Sequence, residues 1–214
     1  MKILVVCSGN VSSGETFELE KHQSFIIEQT NAINKTFGVY FDYFVINKKG
    51  FKGYIGAIPA LRKQIRENKY SIVHAHNALC GLISNFQRMV PVITTYHGSD
   101  INVWKLRLFS YISIFLSSYN IFVSNKQVKK LFYKRNYSVI PCGVDMDMFY
   151  PIDKKEARRK LGFNLNDSLV LFSSSFANAV KNYPLARDAV NMISGTRLIE
   201  LKGYSRSEVN LLMN

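Results

Sequence analysis

Residues Pro91–Asn102, PVITTYHGSDIN, begin as a β-branched run and stop at Tyr96, after which His97, Gly98, Ser99 and Asp100 follow within one turn. Val, Ile and Thr in succession favour a strand, because branched side chains pack well on a pleated surface. The turn that follows gathers an imidazole, a permissive glycine, a hydroxyl and a carboxylate. Two readings are open for it: a functional cluster at the edge of a sheet, or a simple turn whose Asp100 caps a helix starting near Asn102.

Working outward, the same alternation repeats. Strand-like apolar runs occupy 3–6, 39–46, 71–74, 92–95, 121–123, 138–140 and 169–172, with helix-like segments between most of them. The runs are nearly continuous rather than alternating, which predicts an α/β fold whose sheet is parallel and covered by helices on both faces. Ligands in such folds bind beyond the C-terminal ends of the strands.

The loop after the first strand, CSGNVSSGETF, contains Gly9, Asn10 and Gly14 and lets backbone N–H groups approach a phosphate or a sugar. It lacks both the dinucleotide fingerprint and the P-loop pattern, so a turn that binds nothing stays open. The third strand ends in VHAHN, which places His74 and His76 on one face. No Cys or carboxylate nearby completes a metal set, so packing and hydrogen bonding at a strand end are expected there and no metal is assigned.

Bulk properties narrow the class. The chain has 214 residues, 47% hydrophobic, enough for one large domain or for one domain and part of another. Its formal charge of +13 favours anionic partners. Nucleic acid is disfavoured, since no recognised binding motif is present and the aromatic residues are scattered along apolar segments. Cys7, Cys80 and Cys142 form no C-x-x-C pair, which fits a reducing cytoplasm. The N-terminal MKILVVC reads as a strand and not a signal peptide. Leu108–Ser124, short and interrupted by Ser, Tyr and Asn, reads as a buried helix followed by a strand rather than a membrane span.

A further segment, VIPCGVDMDMFYP at Val139–Pro151, reads as a rigid connector: Pro141 and Pro151 restrict φ at its ends and Gly143 permits a bend. Taken together, TTYHGSD, this connector, ARRKLGF, SFIIEQTNAI and IVHAHN resemble the GT-B glycosyltransferases of family four, bacterial polysaccharide type. The resemblance implies a Rossmann-like N-terminal acceptor-side domain at 1–150, a crossing at 139–151, and the beginning of a nucleotide-sugar domain at 151–214. It also implies a retaining transfer from a nucleotide diphosphate sugar to an acceptor hydroxyl, with no metal or other cofactor.

Carried over residue by residue, the resemblance puts His97 at the reacting centre and Lys181 and Asn182 on the donor phosphates. Gly9, Asn10 and Gly14 fall on the acceptor side, and Asp100, Gly143 and Asp145 in the cleft and hinge. Ser174 and Ser175 stand where relatives carry Gly-Arg, and Cys142 where they carry Asn. The chain reads as a fragment expected to be inactive alone, because the family's glutamate pair would lie beyond Asn214. Lys105, Arg107, Lys126, Lys129, Lys130, Lys134 and Arg135 fall in an interval free of acidic residues and suggest peripheral contact with an anionic membrane, where a sugar or lipid-linked acceptor would be met. The rival expectation is a non-enzymatic polyanion- or membrane-binding Rossmann-like module.

Overall fold

A computed structural model describes residues 1–10 and 16–214 and divides the chain into two units, Met1–Gly143 and Val144–Asn214. The division falls inside the connector, earlier than the expected boundary at residue 150. In the first unit, the strands are β1 (Lys2–Ser8), β2 (Tyr40–Ile46), β3 (Ile72–His76), β4 (Val92–Tyr96), β5 (Tyr119–Phe122) and β6 (Tyr137–Val139). They form one parallel sheet in the order β2-β1-β3-β4-β5-β6. The order reverses direction between β1 and β3, so the loops leaving those strands part and open a crevice at their C-terminal ends.

Alternate residues of each strand go to opposite faces. Leu4, Val6, Ile46, Val73, Ala75 and Val92 face a core shared with α3 (Gly50–Gly56), α4 (Ile58–Glu67) and α5 (Ala78–Asn85). On the other face, Val5 and Cys7 pack against Ile26 of α2 (Ser24–Phe37), which follows the short α1 (Leu19–His22). Burial of β1 on both faces explains why its apolar run is continuous, and it pushes the Cys7 thiol up to about 11.

Toward the other end of the sheet, Tyr96 and Phe122 pack with Ile101 of α6 (Ser99–Asn102), Ile114 of α7 (Trp104–Leu116) and Leu131, which follows α8 (Asn125–Lys129). The expectation of a buried α7 needs correction. Its buried side chains are Ser110, Ser113 and Ile114, whereas Trp104, Leu108, Ile112 and Phe115 face outward. Serines face inward because α5 comes very close: a Cβ on Gly81 would overlap Ser113 and Thr94. Thr94 and Ser117 share a hydrogen bond of 2.8 Å, and Asn85 donates to Ser117 Oγ at 3.0 Å, so this tight seam is polar and bonded across, although the buried Ser84 hydroxyl beside it has no partner among the described residues.

The second unit contains α9 (Lys154–Leu161), β7 (Ser168–Phe172), a 3-10 turn at Ala179–Lys181, α10 (Tyr183–Asn191), β8 (Thr196–Glu200) and α11 (Arg206–Met213). Strands β7 and β8 pair in parallel, making one strand–helix–strand unit. Gly143 does not use the conformational freedom expected of it: its φ lies outside the left-handed region, and a Cβ there would meet nothing. The turn is made two residues later, where Asp145 Oδ1 accepts the N–H groups of Asp147 and Met148 at 3.0 and 3.1 Å.

Candidate active site

His97 follows β4 directly, and its position is fixed from several sides. Tyr96 beneath it is fully buried and stacked on Phe122, with ring centroids 5.0 Å apart. Gly98 has φ 126°, a conformation that side chains rarely tolerate, and this turns the chain sharply into α6. Asp100 does not cap a helix starting near Asn102, because it lies inside α6. Its buried carboxylate instead accepts the His97 N–H at 3.0 Å with one oxygen and the Ala78 N–H at 2.9 Å with the other. One charged group therefore ties the end of β4 to the start of α5, through hydrogen bonds roughly twice as strong as neutral ones.

The imidazole of His97 belongs to a row of three. Its Nε2 lies 2.9 Å from Nδ1 of His76, and His76 lies beside His74 with ring centroids 4.4 Å apart. The far end of the row is held by His74 Nε2 and Thr95 Oγ1 at 2.9 Å. Phe25 of α2 sets its edge against His97 at 5.0 Å and against His76 at 6.2 Å. Desolvation pushes the His74 pKa down to about 4, and it lowers those of His76 and His97 as well. Charge on a neighbouring imidazole lowers His74 and His76 further, whereas Asp100 partly offsets the shift at His97. All three rings are therefore neutral near pH 7 and can act as hydrogen-bond donors or acceptors without a charge to neutralise.

The crevice between β1 and β3 has its own fixed geometry. Gly9 donates its N–H to Ile46 O at 2.9 Å, and a Cβ there would collide with Asn47 and Val45, so glycine is required by close approach to the end of β2. Asn10 is exposed and reaches Tyr54 OH at 3.5 Å. Gly14 lies outside the described residues. Across the crevice, Asn77 holds φ 80° and ψ 160° while its side chain accepts the Cys80 N–H at 2.9 Å, capping α5. Strain at a non-glycine residue beside His76 is the kind that a surrounding structure must enforce.

In the second unit, the loop after β7 gathers Ser174, Ser175, Lys181 and Asn182. Asn178 organises it, donating to Ser174 Oγ at 3.1 Å and accepting the Val180 N–H at 3.2 Å. Asn182 adopts a left-handed backbone at φ 52°, which turns the chain into α10, and the Lys181 side chain is exposed. The Ser175 hydroxyl is already committed to Glu200 at 2.9 Å. Glu200 also accepts the Phe176 N–H at 2.7 Å, and these two bonds, backbone first, lower its pKa.

The sequence reading left His76 to packing and did not single out Asn77 or Glu200, which lie beside the expected site residues: His76 bonds His97, Asn77 follows His76, and Glu200 accepts from Ser175. The H-x-H spacing was a usable signal for His76, but nothing local marks Glu200, whose contacts lie 24 and 25 residues away. Among the described residues, no group of three or more His, Cys, Asp or Glu is arranged to hold a metal ion.

Residues 20–148, more than half of the chain and including β3, β4 and the whole histidine row, match Glycosyltransferase Family 4. The chain belongs to this family. It is a glycosyltransferase, and its fold recurs in solved structures of such enzymes. Sucrose-phosphate synthase from Thermosynechococcus elongatus superposes with TM-score 0.71 at 11% identity, over 99% of this chain and 72% of that one. HepE from Anabaena, solved with UDP, gives 0.59 at 13% identity over 100% and 71%. The lipopolysaccharide outer core galactosyltransferase WaaB gives 0.53 at 14% identity over 92% and 60%. A comparison with curated proteins found no match. Likeness at these identities concerns the fold: Rossmann-like parallel sheets of the GT-B kind. No helix among the described residues is long and apolar enough to cross a membrane.

Proposed function

We propose that this glycosyltransferase moves a sugar, with retention at the anomeric carbon, from a uridine diphosphate sugar to an acceptor hydroxyl, and that no resident cofactor takes part. The observation that carries the reading is the neutral, braced imidazole of His97 at the C-terminal edge of the family-matched sheet. Such a group hydrogen-bonds the donor sugar and meets charge as it develops, without having to reorganise. Lys181 and the donors of the Ser174–Asn182 loop are assigned to the diphosphate, while Gly9 and Asn10 shape the acceptor side. HepE bound to UDP supports the choice of nucleotide. In the full-length enzyme, His97→Ala should lower turnover of UDP-sugars by about 100-fold or more with the fold intact. Near-normal turnover, or a loss explained by a lower Tm, would reject the assignment.

The acceptor is assigned to a growing cell-surface polysaccharide or glycolipid, met at the cytoplasmic side of an anionic membrane. Support comes from the outward face of α7, where Trp104 is 74% exposed, together with Phe132 at 85%. The two segments form one surface: Tyr111 packs on Phe132 with centroids 4.1 Å apart, and Arg135 lies over Phe115 at 5.9 Å. Lys105, Lys129, Lys130 and Lys134 are exposed on these same segments. Aromatic and aliphatic side chains ringed by cations match the interface of an anionic bilayer. A second copy of this chain would be repelled by its own charge. Liposome co-sedimentation should show binding that needs anionic lipid and that Phe132→Ser with Trp104→Ser abolishes; equal binding to neutral vesicles would overturn this part.

A further inference from the structure

We propose that His76 is a positioning residue, which holds the His97 imidazole in the tautomer carrying its proton on Nδ1 and so gives the site an Nδ1–H donor. The proposal rests on the assignment of His97 to the reacting centre and adds to it the identity of the atom that acts.

His76 is only 3% exposed, and its Nε2 is buried with no hydrogen-bond partner among the described residues. Its Nδ1 lies 2.9 Å from His97 Nε2, with the two ring planes within 13° and centroids 5.2 Å apart. A contact that short between centroids that far apart requires the rings to lie nearly end to end. The lone pair of one nitrogen then points along the N–H of the other.

With both rings neutral, one proton occupies that contact, and there are two ways to place it. If His97 donated from Nε2, His76 would carry its own proton on Nε2, as a buried N–H aimed at no acceptor. If His76 donates from Nδ1, the unpartnered atom is a bare lone pair, and His97 keeps its proton on Nδ1. Orphaned buried donors are the rarer and costlier defect, so the second arrangement prevails. A charged His76 is no escape, since it is desolvated and lies beside His74 and His97.

Among the described residues, the groups that face the pair are consistent with this placement. Phe25 contributes only a ring edge. His74 is turned to Thr95 through its Nε2. The Asp100 carboxylate is satisfied by the backbone N–H groups of His97 and Ala78. His76 is the last residue of β3, at the β1/β3 crevice and beside the strained Asn77.

The test reads the proton directly. Long-range 1H–15N correlation spectra of the full, 15N-labelled chain at pH 7 should show His97 protonated on Nδ1 and bare on Nε2. His76→Phe should return His97 to the Nε2–H form that free histidine side chains favour. His76→Asn, whose amide can donate from nearly the same place, should restore the Nδ1–H form. With UDP-glucose as probe, release of UDP by the full-length enzyme should then fall in kcat more than in KM for His76→Phe and recover in part for His76→Asn. A wild-type His97 protonated on Nε2 would overturn the proposal, even if the Phe variant failed to fold. So would an unchanged tautomer in a folded His76→Phe. Normal turnover by His97→Ala combined with the expected tautomers would instead sink the reacting-centre assignment, so the two failures are distinguishable.

Discussion

The two units of this glycosyltransferase are held together by different means. In Met1–Gly143 most helices start without a side-chain cap: α1, α2, α3, α4, α6 and α7 have none, and only α5 and α8 are capped, by Asn77 and Ser124. Their ends are set by what they pack against. In Val144–Asn214, by contrast, Asp153 caps α9 with bonds to two N–H groups, and a left-handed Gly162 closes it. Ser205 and Glu208 form a reciprocal capping box on α11. That unit buries only Ala157 and Val190 among its hydrophobic residues and leaves a cavity of about 220 Å³ beside Ala157, Leu161, Leu169 and Leu211. Local hydrogen bonding can define helices where a core is thin, but it stabilises each by only about 1 kcal/mol. Cooperativity has to come from burial.

The largest difference between the units should appear when they are expressed apart. Residues 1–143 should melt in one cooperative thermal transition, whereas 144–214 should give a broad change in circular dichroism with no sharp midpoint. A sharp transition in the second piece would erase the distinction. Next in size is a pair of glycine substitutions in the whole chain. Gly81→Val drives two methyl groups into Thr94 and Ser113 and should cost about 3 kcal/mol. Gly143→Ala, in open space, should shift the urea midpoint by no more than about 0.5 kcal/mol equivalent.

Acidification sharpens the contrast from another side, because the desolvated histidines all belong to the first unit. The folded pKa of His74 is depressed from 6.5 to about 4, so below pH 6.5 the unfolded chain takes up a proton that the folded chain refuses. Stability is therefore complete above pH 6.5 and falls as the pH drops toward 4, by up to about 3 kcal/mol at roughly 1.4 kcal/mol per pH unit. Denaturant titrations of residues 1–143 at pH 7 and pH 4.5 measure it. His74→Asn should reduce the slope without abolishing it, because His76 and His97 are lowered as well; an unchanged slope would place the acid sensitivity elsewhere. The smallest effect is expected at a cap: Asp153→Ala should cost about 1 kcal/mol, read as loss of helix signal in the second unit alone.

Much of this molecule was legible in its residues. Continuous apolar runs gave the parallel sheet, since strands buried on both faces have no polar side to alternate with. TTYHGSD and the connector carried the family, and the predicted strands ended within a residue or two of the observed ones. The caps of α9 and α11, which were not singled out in the sequence, join residues three apart or closer and so depend on local sequence alone. Other features lay beyond the sequence because they depend on distance in space. Ser110 and Ser113 face inward, and Trp104 and Leu108 outward, only because Gly81 brings α5 almost onto α7, which no periodicity within α7 announces. Asp100 looked like a cap for its own helix and braces another one instead. Ser175 is committed to a carboxylate on the neighbouring strand. The pairing of His76 with His97 spans 21 residues of chain, and it was set by the register of β3 on β4. Local hydrogen bonds and burial patterns follow the chain, whereas the proton on His97 follows the sheet.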